Sequence, residues 1–153
     1  MGMGVFGKKP QSKVGRYFRN NLSGWYLLAF YCESVAPELT GHCIYWLTND
    51  GDGLNAEDAV CLADVLAEEL ESGRCQAYAD RLQADTDALP DEPCMLCAGT
   101  GKRSQPPQCG SGDVPCETCE GTGRIRPDAP SFYIENVRDF AAFLRHCGGF
   151  EIC

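Results

Sequence analysis

Cysteines are the residues of this chain most able to do chemistry, and four of the 11 have the spacing of a metal site. They form two Cys-x-x-Cys pairs, Cys94 with Cys97 and Cys116 with Cys119. The two-residue gap lets one tight turn present both sulfurs to the same ion, and zinc favours a tetrahedral set of four thiolates. The sequence therefore predicts one structural zinc ion bound by these four side chains.

The two pairs belong to near-identical repeats, CMLCAGTG at residues 94–101 and CETCEGTG at residues 116–123. Each repeat runs from its second cysteine through one spacer into Gly-Thr-Gly. Glycine adopts positive φ angles without a Cβ penalty, so we expect these glycines to shape the turns and to let backbone approach the sulfurs. The glycines concerned are Gly99, Gly101, Gly121 and Gly123.

The repeated Cys-x-x-Cys-x-Gly-x-Gly unit resembles the cysteine-rich zinc domain of DnaJ-type chaperones. That family has four such units holding two zinc ions, whereas residues 94–123 carry two units, enough for one ion. The chain has no His-Pro-Asp signature of a J-domain. The resemblance therefore implies the geometry of the zinc knuckle and not co-chaperone activity.

Three further stretches resemble small uncharacterised proteins of actinobacteria and their phages. They are YFRNNLSGW at residues 17–25, NDGDGL at residues 49–54 and ENVRDFAAFLRHCGGFEIC at residues 135–153. This resemblance brings no activity with it. It implies an accessory protein of a phage or mobile element that acts on a host protein in the cytoplasm.

The remaining cysteines and the histidines are weaker candidates for chemistry. His42 and Cys43 are adjacent but have no visible third partner, and Cys109 lies between the repeats without a Cys-x-x-Cys partner. A second metal or redox site that includes His42, Cys43, Cys109, Cys147 or Cys153 stays open. Cys-x-x-Cys can also cycle as a dithiol, so thiol redox is the enzymatic alternative. Because four thiolates leave a zinc ion no open position, we expect no enzymatic activity.

Charge is unevenly distributed along a chain whose net charge is −9. Up to Arg19 there are five basic residues and no acid, whereas residues 33–92 carry many acids against Arg74 and Arg81. Phosphate contacts dominate nucleic-acid affinity, so the acidic majority disfavours a nucleic-acid partner without excluding one. We expect a protein partner and no membrane association.

Apolar periodicity predicts the helices that support the cysteine repeats. One helix begins near Ser23 and ends at Pro37, which removes a backbone donor. Asn55 caps a second, amphipathic helix, and a third follows at residues 74–89. A final helix opens at Glu135 and is followed by a short extended tail.

The expected fold class is mainly α, a small helical domain with an inserted zinc-knuckle module of turns and short hairpins. We expect a flexible basic arm at residues 1–15, a helical body at residues 16–91 and 128–153, and the zinc module at residues 92–127. The apolar fraction of 44% is typical of a globular protein. No apolar run approaches the length of a membrane-spanning helix.

A reducing, cytoplasmic setting is expected, because the first residues lack the apolar core of a secretory signal. The leading interpretation is a non-catalytic, zinc-stabilised protein-interaction module. The alternatives are a nucleic-acid-binding zinc-knuckle protein, a thiol-redox protein that uses Cys-x-x-Cys, and a structural component of a virion.

Overall fold

The computed structural model describes residues 2–105 and 110–153. These residues are 41% helix and 16% strand, so the fold is mixed α/β and the prediction of a mainly α fold is wrong. The helices are α1 (Leu22–Val35), α2 (Pro37–Thr40), α3 (Ala56–Glu71), α4 (Arg74–Asp87) and α5 (Ile134–His146). The described part of the chain contains no helix with the length and apolar character needed to cross a membrane.

Three antiparallel strands form a sheet that the sequence analysis did not predict. They are β1 (Gly2–Gly7), β2 (Tyr17–Asn21) and β7 (Phe150–Ile152), in the order β2-β1-β7. Val5 lies opposite Phe18 on one side and Ile152 on the other. These three side chains are buried on one face, as the period of two along a strand requires.

The basic segment at residues 2–15 is part of the fold and does not form the flexible arm that the sequence analysis predicted. After β1, its backbone bonds to the segment that follows α5, from Lys8 N to Gly149 O at 2.8 Å and from Lys9 N to Cys147 O at 3.1 Å. A Cβ atom at Gly15 would lie 2.0 Å from the carbonyl oxygen of His146, so glycine is required for this close approach.

Helices α1 and α3 begin at side-chain caps, and the first unit buries an aromatic core. Asn21 accepts a hydrogen bond from Gly24 N at 2.7 Å at the start of α1, two residues before the predicted Ser23. The predicted cap at Asn55 is confirmed. The core is built on large, fully buried rings, with Trp25 and Phe140 in edge-to-face contact. The other large rings of this core are Tyr31, Trp46, Phe143 and Phe150.

The chain divides into two compact units, Met1–Gln83 with Pro130–Cys153, and Ala84–Ala129. The first unit contains the three-stranded sheet and the aromatic core. The second contains the cysteine repeats and two short antiparallel ribbons. The ribbons pair β3 (Glu92–Pro93) with β6 (Arg124–Ile125), and β4 (Lys102–Arg103) with β5 (Val114–Pro115).

Candidate metal centre

The two ribbons hold the cysteine repeats against each other. We call residues 94–101 the first knuckle and residues 116–123 the second knuckle. The first knuckle lies between β3 and β4, and the second lies between β5 and β6. Because β3 pairs with β6 and β4 pairs with β5, each end of one knuckle is tied to the opposite end of the other.

Each knuckle is closed by the same set of hydrogen bonds. Gly99 N donates to Cys94 O at 3.0 Å, and Gly121 N donates to Cys116 O at 3.0 Å. The hydroxyl of Thr100 lies 2.7 Å from the carbonyl oxygen of Cys97, and Thr122 repeats this contact in the second knuckle at 2.6 Å. The sequence analysis assigned no role to these threonines. Their occurrence at the same position of both repeats was the signal that could have indicated one.

The predicted positive φ angles of the four knuckle glycines are confirmed, with values from 76° to 80°. Two of these glycines also lock the knuckles together. A Cβ atom at Gly101 would lie 2.2 Å from the carbonyl oxygen of Gly121, and one at Gly123 would lie 2.3 Å from that of Gly99. The close approach of the two knuckles therefore depends on residues without side chains.

The four predicted cysteines come together as one buried cluster whose sulfur atoms all lie within 4.8 Å of one another. Across the knuckles, the sulfur of Cys94 is 3.8 Å from that of Cys116, and Cys97 is 3.8 Å from Cys119. A tetrahedron with metal–sulfur bonds of about 2.3 Å places neighbouring sulfurs about 3.8 Å apart. A disulfide requires about 2.05 Å. The cluster is therefore compatible with one metal ion and not with disulfide pairing.

Backbone donors point at two of the sulfurs. Gly101 N donates to the sulfur of Cys97 at 3.3 Å, and Gly123 N donates to that of Cys119 at 3.2 Å. Burial opposes ionisation of Cys97, but the Gly101 N–H and the neighbouring thiols outweigh it and lower the pKa of Cys97 to about 7. A lowered pKa favours metal binding, because the ligand is the thiolate.

Four buried thiols of the first unit have a raised pKa, in contrast to Cys97. Burial raises the pKa of Cys43 to about 12, and it also raises the pKa of Cys32, Cys75 and Cys147. Cys43 donates to the carbonyl oxygen of Gly53 at 3.5 Å. These thiols are neutral and behave as small apolar core residues.

The second metal site that the sequence left open gains no support. In the described ranges, Cys94, Cys97, Cys116 and Cys119 are the one group of three or more ligands that comes together. His42 is exposed beside the buried Cys43, and Cys153 is exposed. Cys109 lies outside the described residues.

Arginines that follow the knuckles bond to the backbone of the same unit. Arg126 donates to Asp87 O at 2.7 Å, Arg124 donates to Asp91 O, and Arg103 donates to Ser104 O at 3.3 Å. These three guanidinium groups therefore help to hold residues 84–129 together.

No family model, curated protein or solved structure matches this chain. Its function is therefore inferred from the geometry of the cysteine cluster, which holds four buried sulfurs at the spacing of a single metal ion.

Proposed function

We propose that Cys94, Cys97, Cys116 and Cys119 bind one structural Zn²⁺ ion, and that residues 84–129 act as a non-catalytic protein-interaction module. The observation that carries the proposal is the closed arrangement of the four sulfurs. Each cysteine is 5% exposed or less. Four thiolates at tetrahedral spacing are the set that structural zinc sites use.

The small apolar core of the module supports a stabilising role for the metal. The apolar side chains that pack on the cysteines are Leu96 and Ile125, and both are partly buried. Such a core is too small to offset the conformational entropy of the 46 residues from Ala84 to Ala129. Metal binding at a site that exists only when the chain is folded contributes its free energy directly to folding.

The arrangement of four buried sulfurs around one position also supports a non-catalytic role. A catalytic zinc ion keeps one position for water or substrate, usually beside histidine or carboxylate ligands. Here all four positions belong to buried thiols. The site leaves no place at which a substrate could meet the metal.

The surface of the first knuckle supports a protein partner. Met95, between the first two cysteines, is 88% exposed. Methionine is enriched at protein interfaces, where its flexible and polarisable side chain adapts to an apolar partner surface. The corresponding position of the second knuckle is Glu117, so we assign the contact to the first knuckle.

The two other uses of this module have weaker support. A nucleic-acid-binding knuckle needs free cationic groups, whereas Arg103, Arg124 and Arg126 donate to backbone carbonyl groups of the module. A thiol-redox centre needs a disulfide within one Cys-x-x-Cys pair. The 3.8 Å contacts instead join sulfurs of different knuckles.

The test is the metal content of protein purified without added metal, measured by inductively coupled plasma mass spectrometry. We expect about one zinc per chain. The double variant Cys94→Ser, Cys119→Ser should lose the zinc, and hydrogen exchange should show loss of protection across residues 84–129. Cys61→Ser is the matched control, because this cysteine lies exposed on α3 and should change neither result.

Two results would overturn the zinc assignment. Protein without metal, with reversible disulfides among the four cysteines, would make thiol redox the better explanation. Stoichiometric iron in place of zinc would show that the thiolates hold a different centre.

A further inference from the structure

Two aromatic rings lie exposed on the outer face of the three-stranded sheet. Phe6 and Tyr17 are cross-strand partners on β1 and β2, their ring centroids are 4.8 Å apart, and each residue is 46% exposed. Both rings lie over Gly4, where a Cβ atom would be 3.1 Å from Phe6 and 3.4 Å from Tyr17. The rings therefore rest across a glycine on the solvent side, while the opposite face of the sheet packs into the core.

Basic residues adjoin this pair of rings in the sheet and in the segment between β1 and β2. Arg19 shares the outer face with Tyr17, and its guanidinium group lies over Gly2, with Nε 3.5 Å from the position of a Cβ there. Four more basic residues are exposed in the adjoining segment, and the first acid in the sequence is Glu33. The four are Lys8, Lys9, Lys13 and Arg16.

These cations have no carboxylate partners to neutralise them. The ion pairs among residues 2–105 and 110–153 involve Arg74 and Arg145. The three strands and the adjoining segment together carry five basic residues against one acid, Glu151, on a protein whose net charge is −9. An anionic partner would be attracted to this surface and repelled from most of the remainder.

We propose that this outer face, formed by Phe6, Tyr17 and Arg19 with the adjoining lysines and Arg16, binds single-stranded nucleic acid. Aromatic side chains on a sheet stack with unpaired bases, and nearby lysine and arginine side chains contact the phosphates. Bases in a duplex are stacked on each other, so a duplex has no exposed base face on which the two rings could stack. This site lies in the first unit and goes beyond the function proposed for the cysteine module.

An acid on the third strand marks one limit of the surface. Glu151 on β7 lies opposite Phe6, and it is the acidic residue among the three strands of this sheet. A carboxylate beside the stacked bases repels the phosphate backbone. The variant Glu151→Gln should therefore bind the same ligand more tightly than the natural protein.

The test is fluorescence anisotropy of labelled oligothymidylate and oligouridylate, each about 12 nucleotides long, with the full chain at low salt. We expect binding that weakens as salt rises. Tyr17→Ala should reduce affinity roughly 5- to 150-fold, the range found when one stacking ring is removed. Tyr17→Phe keeps the ring and should keep the affinity.

Charge variants test the phosphate contacts separately. The double variant Lys13→Gln, Arg16→Gln should reduce the slope of log affinity against log salt by about 1.4, since each contact to a single strand contributes about 0.7. Tyr133→Ala removes an exposed ring outside the sheet, and Lys102→Gln removes a cation of the second unit. Neither change should affect binding.

Circular dichroism melting establishes that each variant is folded. If Tyr17→Ala is unfolded, Arg19→Gln replaces it as the variant that tests the outer face of the sheet. Absence of binding at low salt would overturn the proposal. So would equal affinity for duplex DNA or anionic lipid vesicles with no effect of Tyr17→Ala, because binding would then be electrostatic only. Loss of binding in Lys102→Gln would move the site to the cysteine module.

Discussion

The two knuckles of the cysteine module share a backbone but differ in the surfaces that they present. Both have the same glycine angles, the same threonine contacts and the same pairing of backbone amide with sulfur. At the exposed positions between the cysteines, the first knuckle has Met95 where the second has Glu117. The spacer before Gly-Thr-Gly is Ala98 in one and Glu120 in the other.

This comparison distinguishes the residues that the knuckle fold requires from the surface positions at which the two repeats differ. Cysteine, glycine and threonine are kept in both repeats, where they supply the sulfurs, the positive φ angles and the hydroxyl contacts. The exposed pair Met95 and Glu117 differs between the repeats, and substitutions at exposed positions of this kind change the free energy of unfolding by about 0.5 kcal/mol or less. A surface that is apolar in one repeat and acidic in the other is therefore not dictated by the fold.

The largest expected effect comes from removing one sulfur from either knuckle. Cys97→Ser and Cys119→Ser should each weaken zinc binding by more than about 100-fold, because each leaves three thiolates of four. The two losses should be equal, since the sulfurs are related by the repeat. Competition with a chromogenic chelator measures both, and a loss confined to one knuckle would contradict a shared ion.

A smaller effect is expected where the knuckles interlock. Gly101→Ala and Gly123→Ala should each destabilise the module by more than about 2 kcal/mol, because both the positive φ and a backbone overlap oppose the new methyl group. Gly121→Ala is the matched control. Its φ of 80° is close to the 77° of Gly101 and the 76° of Gly123, but nothing lies within 4 Å of its Cβ position, so the substitution should destabilise the module by about 1 kcal/mol. Chemical denaturation followed by hydrogen exchange measures the loss of stability in each variant. An equal loss in Gly121→Ala would show that the backbone overlap at Gly101 and Gly123 contributes nothing.

A stabilising change of about 0.5–1 kcal/mol is expected at the spacers. Ala98 and Glu120 have φ angles of 52° and 49°, in the left-handed region that glycine occupies without a Cβ penalty. Ala98→Gly and Glu120→Gly should therefore both raise the stability of residues 84–129. A decrease in either variant, measured by hydrogen exchange in the same module, would show that its side chain contributes more than its backbone costs.

The smallest effect on stability is expected at the exposed positions of Met95 and Glu117. Met95→Glu and Glu117→Met should each change the free energy of unfolding by less than about 0.5 kcal/mol and leave zinc content unchanged. Their effects on partner contact should differ. A photo-crosslinking residue at position 95 should capture a protein in cells, and the same residue at position 117 should not. Equal capture from both positions would remove the reason to assign the contact to the first knuckle.

Local patterns allowed the cysteine cluster and helices α1, α3, α4 and α5 to be predicted from the sequence, whereas the short helix α2 was not predicted. The ligands lie within two residues of each other in each pair, and the caps lie within three residues of the amides that they bond. The sheet could not be predicted in the same way. Val5 pairs with Ile152 across almost the whole chain, and β1 has glycine at three of its six positions. Neither partner contains a run of apolar residues long enough to indicate a strand.

The position of β1 between β2 and β7 determines when the first unit can be completed during synthesis. The middle strand emerges from the ribosome early, but its pairing with β7 has to wait until residues 150–152 are made. Residues 84–129 are one continuous stretch, so this unit can fold before residues 150–152 are translated. One of the two hydrogen-bonding edges of β1 remains unpaired until then. Folding of the first unit therefore depends on contacts of long sequence separation.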